Sequence, residues 1–216
     1  MLKRSLMLLA ALCIGGAFTA PVFAAAEQTP QQIVQSIADQ LGAAVQGHQA
    51  ELQKNPEQMV KVIDGIILPH FDTNYAALLV LGRYAREATP AQRVAFTQAF
   101  YNALIHRYGE GLLAYTRGAV RVLPARGPLD QNRTLVRTEV KLANGNSLSV
   151  DYAFRKTASG EWKAYDVIIA GISYITNYRN QVAAEIQKEG IDGLIKRLQT
   201  EGAGAIDQMK QQDSGH

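Results

Sequence analysis

The hydrophobic period of this chain changes twice, and that change restricts its fold more than any other feature. From Pro30 to about Tyr115 apolar residues recur at helical spacing. From Ala119 to Ala170 they alternate with polar ones, and from Gly171 the helical spacing returns. In the middle stretch Val136, Thr138, Val140 and Leu142 alternate with Arg137, Glu139 and Lys141. Asn144-Gly145 supplies a two-residue hairpin turn, and Leu148, Val150, Tyr152 and Phe154 then alternate with Ser147, Ser149, Asp151 and Arg155. Such a sheet has one apolar face, and the flanking helices are what the chain offers to cover it. The pattern predicts an α+β fold in which a curved antiparallel β-meander packs against several α-helices.

Capping residues punctuate the helical stretches. Thr29-Pro30 opens a helix to about residue 53 through Ile33, Ile37, Leu41 and Val45. Asn55-Pro56-Glu57 opens a second through Met59, Val60, Ile63, Ile66 and Ile67, which Pro69 ends. Asp72 caps a short helix over Asn74–Leu81. Thr89-Pro90 starts the longest, to about Tyr115, with Phe96, Phe100, Leu104 and Tyr108 on its apolar side. After the meander a helix is predicted from Gly171 through Ile172, Ile175, Val182 and Ile186. Gly190 ends it, one more short helix follows over Ile191–Leu198, and residues 202–216 read as a loose tail.

The first residues read as an export signal. Lys3 and Arg4 precede an apolar run, and Val22/Ala24 or Ala24/Ala26 fit a signal peptidase. The expectation is a cleaved leader over residues 1–24 and a single domain over 25–216, helical over 30–115, a meander over 119–170 and helical again over 171–201. The run is shorter than the ~20 residues a membrane-spanning helix needs. Cys13, the only cysteine, lies inside the leader, so the mature chain is expected to hold no disulfide and no cysteine metal site. Losing Lys3 and Arg4 leaves 20 basic against 19 acidic residues, without a basic stripe, which argues against nucleic acid as a partner.

A search for chemistry finds little. The four histidines, His48, His70, His106 and His216, show no metal-ligand spacing, and no nucleophile elbow, phosphate-cradling loop or zinc motif occurs. Asp64, Asp72, Asp151 and Asp166 are the acid–base candidates. Capping explains Asp72, and the polar strand face explains Asp151. Asp166 stands between Tyr165 and Val167 in an apolar strand, where a buried, hydrogen-bond-accepting carboxylate is the simpler reading.

Particular residues then carry a resemblance. Leu81-Gly82-Arg83-Tyr84, Ala88-Thr89-Pro90-Ala91-Gln92-Arg93, Val150-Asp151-Tyr152, Trp162-Lys163-Ala164-Tyr165-Asp166-Val167, Gly171-Ile172-Ser173, Asn177-Tyr178-Arg179 and Gly190-Ile191-Asp192-Gly193-Leu194-Ile195 occur in this order over roughly residues 30–200. Together they resemble the MlaC family, the periplasmic phospholipid-binding or toluene-tolerance proteins. The resemblance implies a nuclear-transport-factor-2-like (NTF2-like) sheet, an apolar pocket between sheet and helices, and bound phospholipid with no other cofactor. It implies no catalysis. It further implies a periplasmic location and two partners: an inner-membrane ABC transporter with an MCE-domain subunit, and an outer-membrane lipoprotein–porin complex. The role would be to shuttle lipid between the membranes and so maintain outer-membrane lipid asymmetry.

On that basis the pocket candidates are Val136, Val140, Leu148, Val150, Tyr152 and Phe154 from the meander, and Ile63, Ile67, Leu78, Phe100, Leu104, Ile172 and Ile175 from the helices. Each of these equally fits a plain core. Arg83, Tyr84, Asn177, Tyr178 and Arg179 are read as residues of the pocket mouth or as ties between helices and sheet. Two other classes stay open at this stage: an envelope enzyme using Asp166 and a tyrosine, and a protein-binding adaptor.

Overall fold

The computed structural model of this chain describes residues 28–113, 119–125, 131–142 and 144–213. The expected leader and its cleavage point lie outside them. The elements run α1 (Pro30–Val45), α2 (Gln49–Lys54), α3 (Pro56–Ile66), a 3-10 turn (Leu68–His70), α4 (Thr73–Leu81), α5 (Tyr84–Glu87) and α6 (Pro90–Leu113). Strands β1 (Val120–Val122), β2 (Arg133–Lys141), β3 (Ser147–Lys156), β4 (Trp162–Ile169) and β5 (Ile172–Ser173) follow, then α7 (Tyr174–Glu201) and α8 (Ala203–Asp213).

The caps act as their residue types require. The Gln32 N–H donates to Thr29 Oγ1 at 3.3 Å, and the Thr29 N–H donates to Gln32 Oε1 at 2.9 Å, a reciprocal capping box. Thr89 and Gln92 repeat it at 3.2 and 2.9 Å. Asn55 accepts from the Gln58 N–H and Asp72 from the Tyr75 N–H, both at 3.1 Å.

Three expectations need correction. The first helix does not run to residue 53: Gly47 takes φ +81°, a left-handed conformation that separates α1 from α2. Ile172 is not helical. Ala170 and Gly171, both at positive φ, turn the chain into β5, where Ile172 pairs with Ile169, and the helix starts only after the Ser173 cap. Of residues 202–216, expected as a loose tail, 214–216 lie outside the described residues and Ala203–Asp213 form α8. Its Ala205, Ile206 and Met209 are buried among Leu194, Leu198 and the other core residues of the helical layer. That apolar stripe is too short to stand out in a polar segment, so tertiary burial rather than local propensity makes the helix.

The sheet is a five-stranded antiparallel meander in sequence order. Gly145, at φ +85°, turns the β2–β3 hairpin as Asn144-Gly145 predicted. Along β3 and β4, Ala153 pairs with Asp166 but Phe154 pairs with Ala164. Tyr165 is therefore an extra, unpaired residue, a β-bulge that re-aims the side chains around it.

Two apolar layers result. On one face of the sheet Val136, Phe154 and Ala164 pack against Ile33 and Val34 of α1. Beside the sheet, α4, α6, α7 and α8 enclose a larger core around Phe96, Phe100, Tyr178, Val182, Leu194 and Ile206. A third cluster, Val45, Leu52, Met59 and Ile63, joins α1–α3. Gly109 lets α3 lie close on α6: a Cβ there would stand 2.8 Å from Met59 Cε. The α7 helix breaks at Gly190, φ +73°, as its sequence predicted. Arg197 bridges that break by pairing with both Glu185 and Glu189.

Candidate functional site

The site grows from the helical layer where it meets β4. On α4, Thr73, Ala76, Ala77 and Val80 follow the i, i+3, i+4, i+7 spacing of one helical face. Their small side chains leave space that larger ones would close. Across from them stand Thr97, Phe100, Tyr101 and Leu104 of α6, and Tyr174, Ile175 and Tyr178 of α7. Phe71 and the bulged stretch Tyr165-Asp166-Val167 complete the wall of a cavity of about 140 Å³.

Its few polar atoms look inward to the protein. Asp166, 8 % exposed, accepts from Ser173 Oγ at 2.6 Å and from the Ile175 N–H at 3.1 Å, so both carboxylate oxygens hold the start of α7. The Thr97 hydroxyl donates to the Arg93 carbonyl at 2.8 Å, within its own helix. The Tyr101 hydroxyl donates to Asp64 on α3, and the Tyr178 and Tyr108 hydroxyls share a hydrogen bond at 2.6 Å. Burial first, then these hydrogen bonds, push the Tyr101 and Tyr178 phenols well above the ordinary tyrosine range, so both stay neutral. The wall thus offers hydrocarbon, with Thr97, Tyr101, Tyr178 and Asp166 hydrogen-bonded within the protein, which suits an apolar guest. It offers no poised acid–base pair, since Asp166 spends both oxygens on structure. Among the described residues no group of three His, Asp or Glu is arranged to hold a metal.

The residues named from sequence divide into five groups. Phe100, Leu104, Ile175 and Tyr178 line the cavity. Val136 and Phe154 lie in the α1–sheet core, with Tyr152 packed against it, and Val150 is buried on the same sheet face. Ile63, with Ile67 beside it, belongs to the α1–α3 cluster. Val140 and Leu148 pair half-buried toward the hairpin. Leu78, 39 % exposed, and Ile172, 61 % exposed, point outward.

The proposed mouth residues also separate. Arg179 lies over Gly82, whose added Cβ would meet its side chain at 3.3 Å, and its Nε donates to the Leu79 carbonyl at 2.7 Å. Two distant sequence motifs therefore meet as one tie between α7 and the end of α4. Arg83 donates to the Tyr84 hydroxyl at 2.7 Å on the surface. Asn177 accepts from Gln181 Nε2 at 3.1 Å within α7.

Sequence reasoning missed Phe71, Thr73, Ala76, Ala77, Val80, Thr97, Tyr101, Val167 and Tyr174 as cavity residues, took Tyr165 as a strand residue, and weighed Asp166 as a buried structural carboxylate or an acid–base group. The spacing on α4 was a usable signal. The bulge at Tyr165 left none.

Fold and site together define a class: an α+β protein in which helices and a strand of the sheet border an apolar cavity. Residues 35–200 match the family described as MlaC protein. The chain belongs to the MlaC family. It is 28% identical over 192 residues to the intermembrane phospholipid transport system binding protein MlaC of Haemophilus influenzae, covering 88% of this chain and 90% of the relative. It is 31% identical over 192 residues to toluene tolerance protein ttg2D of Pseudomonas putida, covering 88% of this chain and 85% of the relative. Among solved structures, a phospholipid-binding protein from Ralstonia solanacearum, in complex with a phospholipid, superposes with a TM-score of 0.75 at 28% identity. The match covers 83% of this chain and 99% of that one.

Proposed function

We propose that this chain carries phospholipid between membranes and holds the acyl chains in the cavity between α4, α6, α7 and β4. The observation that carries this is the character of the wall: apolar side chains, with Thr97 and Asp166 hydrogen-bonded within the protein. The solved relative in complex with a phospholipid supports it. The energetics give the reason for a carrier. Each methylene moved from bilayer to water costs about 0.8 kcal/mol, so two chains of roughly 30 methylenes together cost on the order of 20 kcal/mol. Unassisted transfer through water is negligible against that.

The cavity, at about 140 Å³, lies below the roughly 300–1,000 Å³ of ordinary ligand pockets. Lodging whole chains therefore requires its walls to part. The seam between the α1–sheet core and the helical core is the natural line, because the two clusters are separate. Among the described residues no helix is long and apolar enough to cross a membrane. The work of the family member from Haemophilus influenzae, by its name, lies in intermembrane phospholipid transport. We extend to this chain a periplasmic location after removal of residues 1–24, with an MCE-domain transporter and an outer-membrane lipoprotein–porin complex as partners. Mass spectrometry of a solvent extract of the native protein tests the proposal. Phospholipid near one molecule or more per chain is expected. A lipid-free extract, with no uptake of fluorescent phospholipid by the protein, would overturn it.

A further inference from the structure

The polar face of the sheet carries an arrangement that the cavity alone does not require. Arg133, Arg155 and Lys163 occupy directly paired positions on β2, β3 and β4. Strands lie about 4.8 Å apart, and like charges placed opposite one another across strands are destabilising. Asp72 is the carboxylate that an ion pair joins to this row, through Arg155. Nearby acids are engaged elsewhere: Asp166 with Ser173 and the start of α7, Asp151 with Ser149, and Glu161 with Ser159. Among the described residues three cations thus face one paired anion.

The row also stands against the cavity wall. Asp72 lies between Phe71 and Thr73, both of which line it. The Arg155 guanidinium lies 4.2 Å from the centre of the Tyr75 ring, and Arg133 Nη2 donates to the Tyr75 hydroxyl at 3.2 Å. The Tyr75 ring in turn meets Tyr165, a wall residue, edge to face at 5.3 Å. Lys163 is felt at the same place from the other side. Burial first, and then its charge, lower the pKa of His70 in the turn before Phe71. One layer of aromatic rings therefore separates the cations from the cavity.

We propose that Arg133, Arg155 and Lys163 form a site for the phosphodiester of the lipid headgroup, so that acyl chains pass inward by Phe71 and Tyr165 while the phosphate stays outside on the cationic row. This rests on the carrier function proposed above. It gives the carrier a preference for phosphate-bearing lipids over uncharged lipids with the same chains. Guanidinium–phosphate pairs are strong charge-assisted hydrogen bonds, and an anion there offsets the repulsion within the row. Arg155 keeps its place through Asp72 and Arg133 through the Tyr75 hydroxyl, while neither Arg133 nor Lys163 is ion-paired among the described residues.

The test loads delipidated protein from a neutral detergent containing equal amounts of dioleoylphosphatidylglycerol and dioleoylglycerol. Retained lipid is quantified after detergent removal and gel filtration. Native protein should retain the phospholipid in excess by on the order of tenfold. The double variant Arg133→Gln, Lys163→Gln should bring the ratio close to one while still retaining dioleoylglycerol. The pair Arg133→Lys, Lys163→Arg should keep the excess. An equal excess in native protein and the glutamine variant overturns the site. So does retention of both lipids without preference by native protein, which leaves the carrier function standing. Failure of native protein to retain either lipid overturns the carrier function itself. Calorimetry with inorganic phosphate separates the other source of this chemistry. Binding that is lost in the glutamine variant while the lipid ratio is unchanged would assign the row to free phosphate and overturn the headgroup site.

Discussion

The two apolar regions that flank β4 have similar composition and opposite character. Where α1 covers the sheet, Val136, Phe154 and Ala164 are nearly or fully buried against Ile33 and Val34. Where α4, α6 and α7 meet the strand, Phe100, Leu104 and Ile175 border open space. The difference lies in side-chain size and backbone register. The α1–sheet contact fills its space with Val136 and Phe154 set against Ile33 and Val34. The α4 face presents Ala76 and Ala77 to a strand whose bulge at Tyr165 spoils the match. A cavity here comes from small residues facing an irregular edge, and hydrophobic content alone does not distinguish it from a core.

The largest expected effect tests the solid side. Phe154→Ala should cost about 3–5 kcal/mol in urea unfolding, the range for removing a fully buried ring that neighbours cannot replace. A loss under about 1 kcal/mol would show that α1 collapses into the gap, and the contrast between the regions would fail.

A matched pair of enlargements sharpens the contrast. Ala164→Leu overfills the α1–sheet core and should cost about 1–3 kcal/mol. Ala77→Leu extends into the cavity instead. Its unfolding midpoint should stay close to that of the native protein while lipid retained per chain falls by half or more. Equal destabilisation by both, with lipid content unchanged, would place Ala77 in packed core.

Asp166→Asn addresses the join between the regions. The amide keeps one accepting oxygen and loses the charge at the start of α7, so a cost of about 1–2 kcal/mol is expected. Lipid retention should fall only as stability does. A hydrolytic activity in native protein that this variant abolishes while folded would return Asp166 to the enzymatic role weighed from sequence.

The smallest effect is a pH dependence. His70 titrates below its ordinary 6.5 in the folded protein, from burial and then from Lys163. The unfolded chain therefore takes up the proton first. Above 6.5 this group contributes nothing to the pH dependence, and stability is lost as pH falls from 6.5 toward the lower folded value. His70→Gln should flatten that part of the profile, measured by urea midpoints between pH 7 and pH 5. An unchanged slope would remove His70 as its source.

The sequence showed the elements far better than the space between them. Thr29, Asn55, Asp72 and Thr89 each cap a helix through contacts within three residues, so local chemistry was enough to place them. The alternation across Val136 to Phe154 likewise marked the buried sheet face. It was a poor guide to the cavity, because alternation tells which side is buried and not what buries it. Val136 and Phe154, taken as pocket candidates, meet α1. Leu78 and Ile172 failed for a different reason: each sits beside an apolar stretch whose burial falls on its neighbours, Ala77 in one case and Ile175 in the other. The α8 helix depends on contacts with α7 just before it and with α6, which lies far away in the chain. The bulge at Tyr165 depends on how two strands align, and no single segment encodes that.

The attachments of α4 have a mechanical consequence. This helix of nine residues, about 13 Å long, is anchored at both ends to different parts of the molecule. Its C-terminal turn is clasped by Arg179, which threads over Gly82 to reach the Leu79 carbonyl. Its N-terminal cap is tied to the sheet by the partly buried ion pair of Asp72 with Arg155 and by the Asp72 N–H, which donates to the Ala164 carbonyl at 2.7 Å. With both ends held, a wider cavity along α4 requires one of these ties to give, at Gly82 or at Asp72.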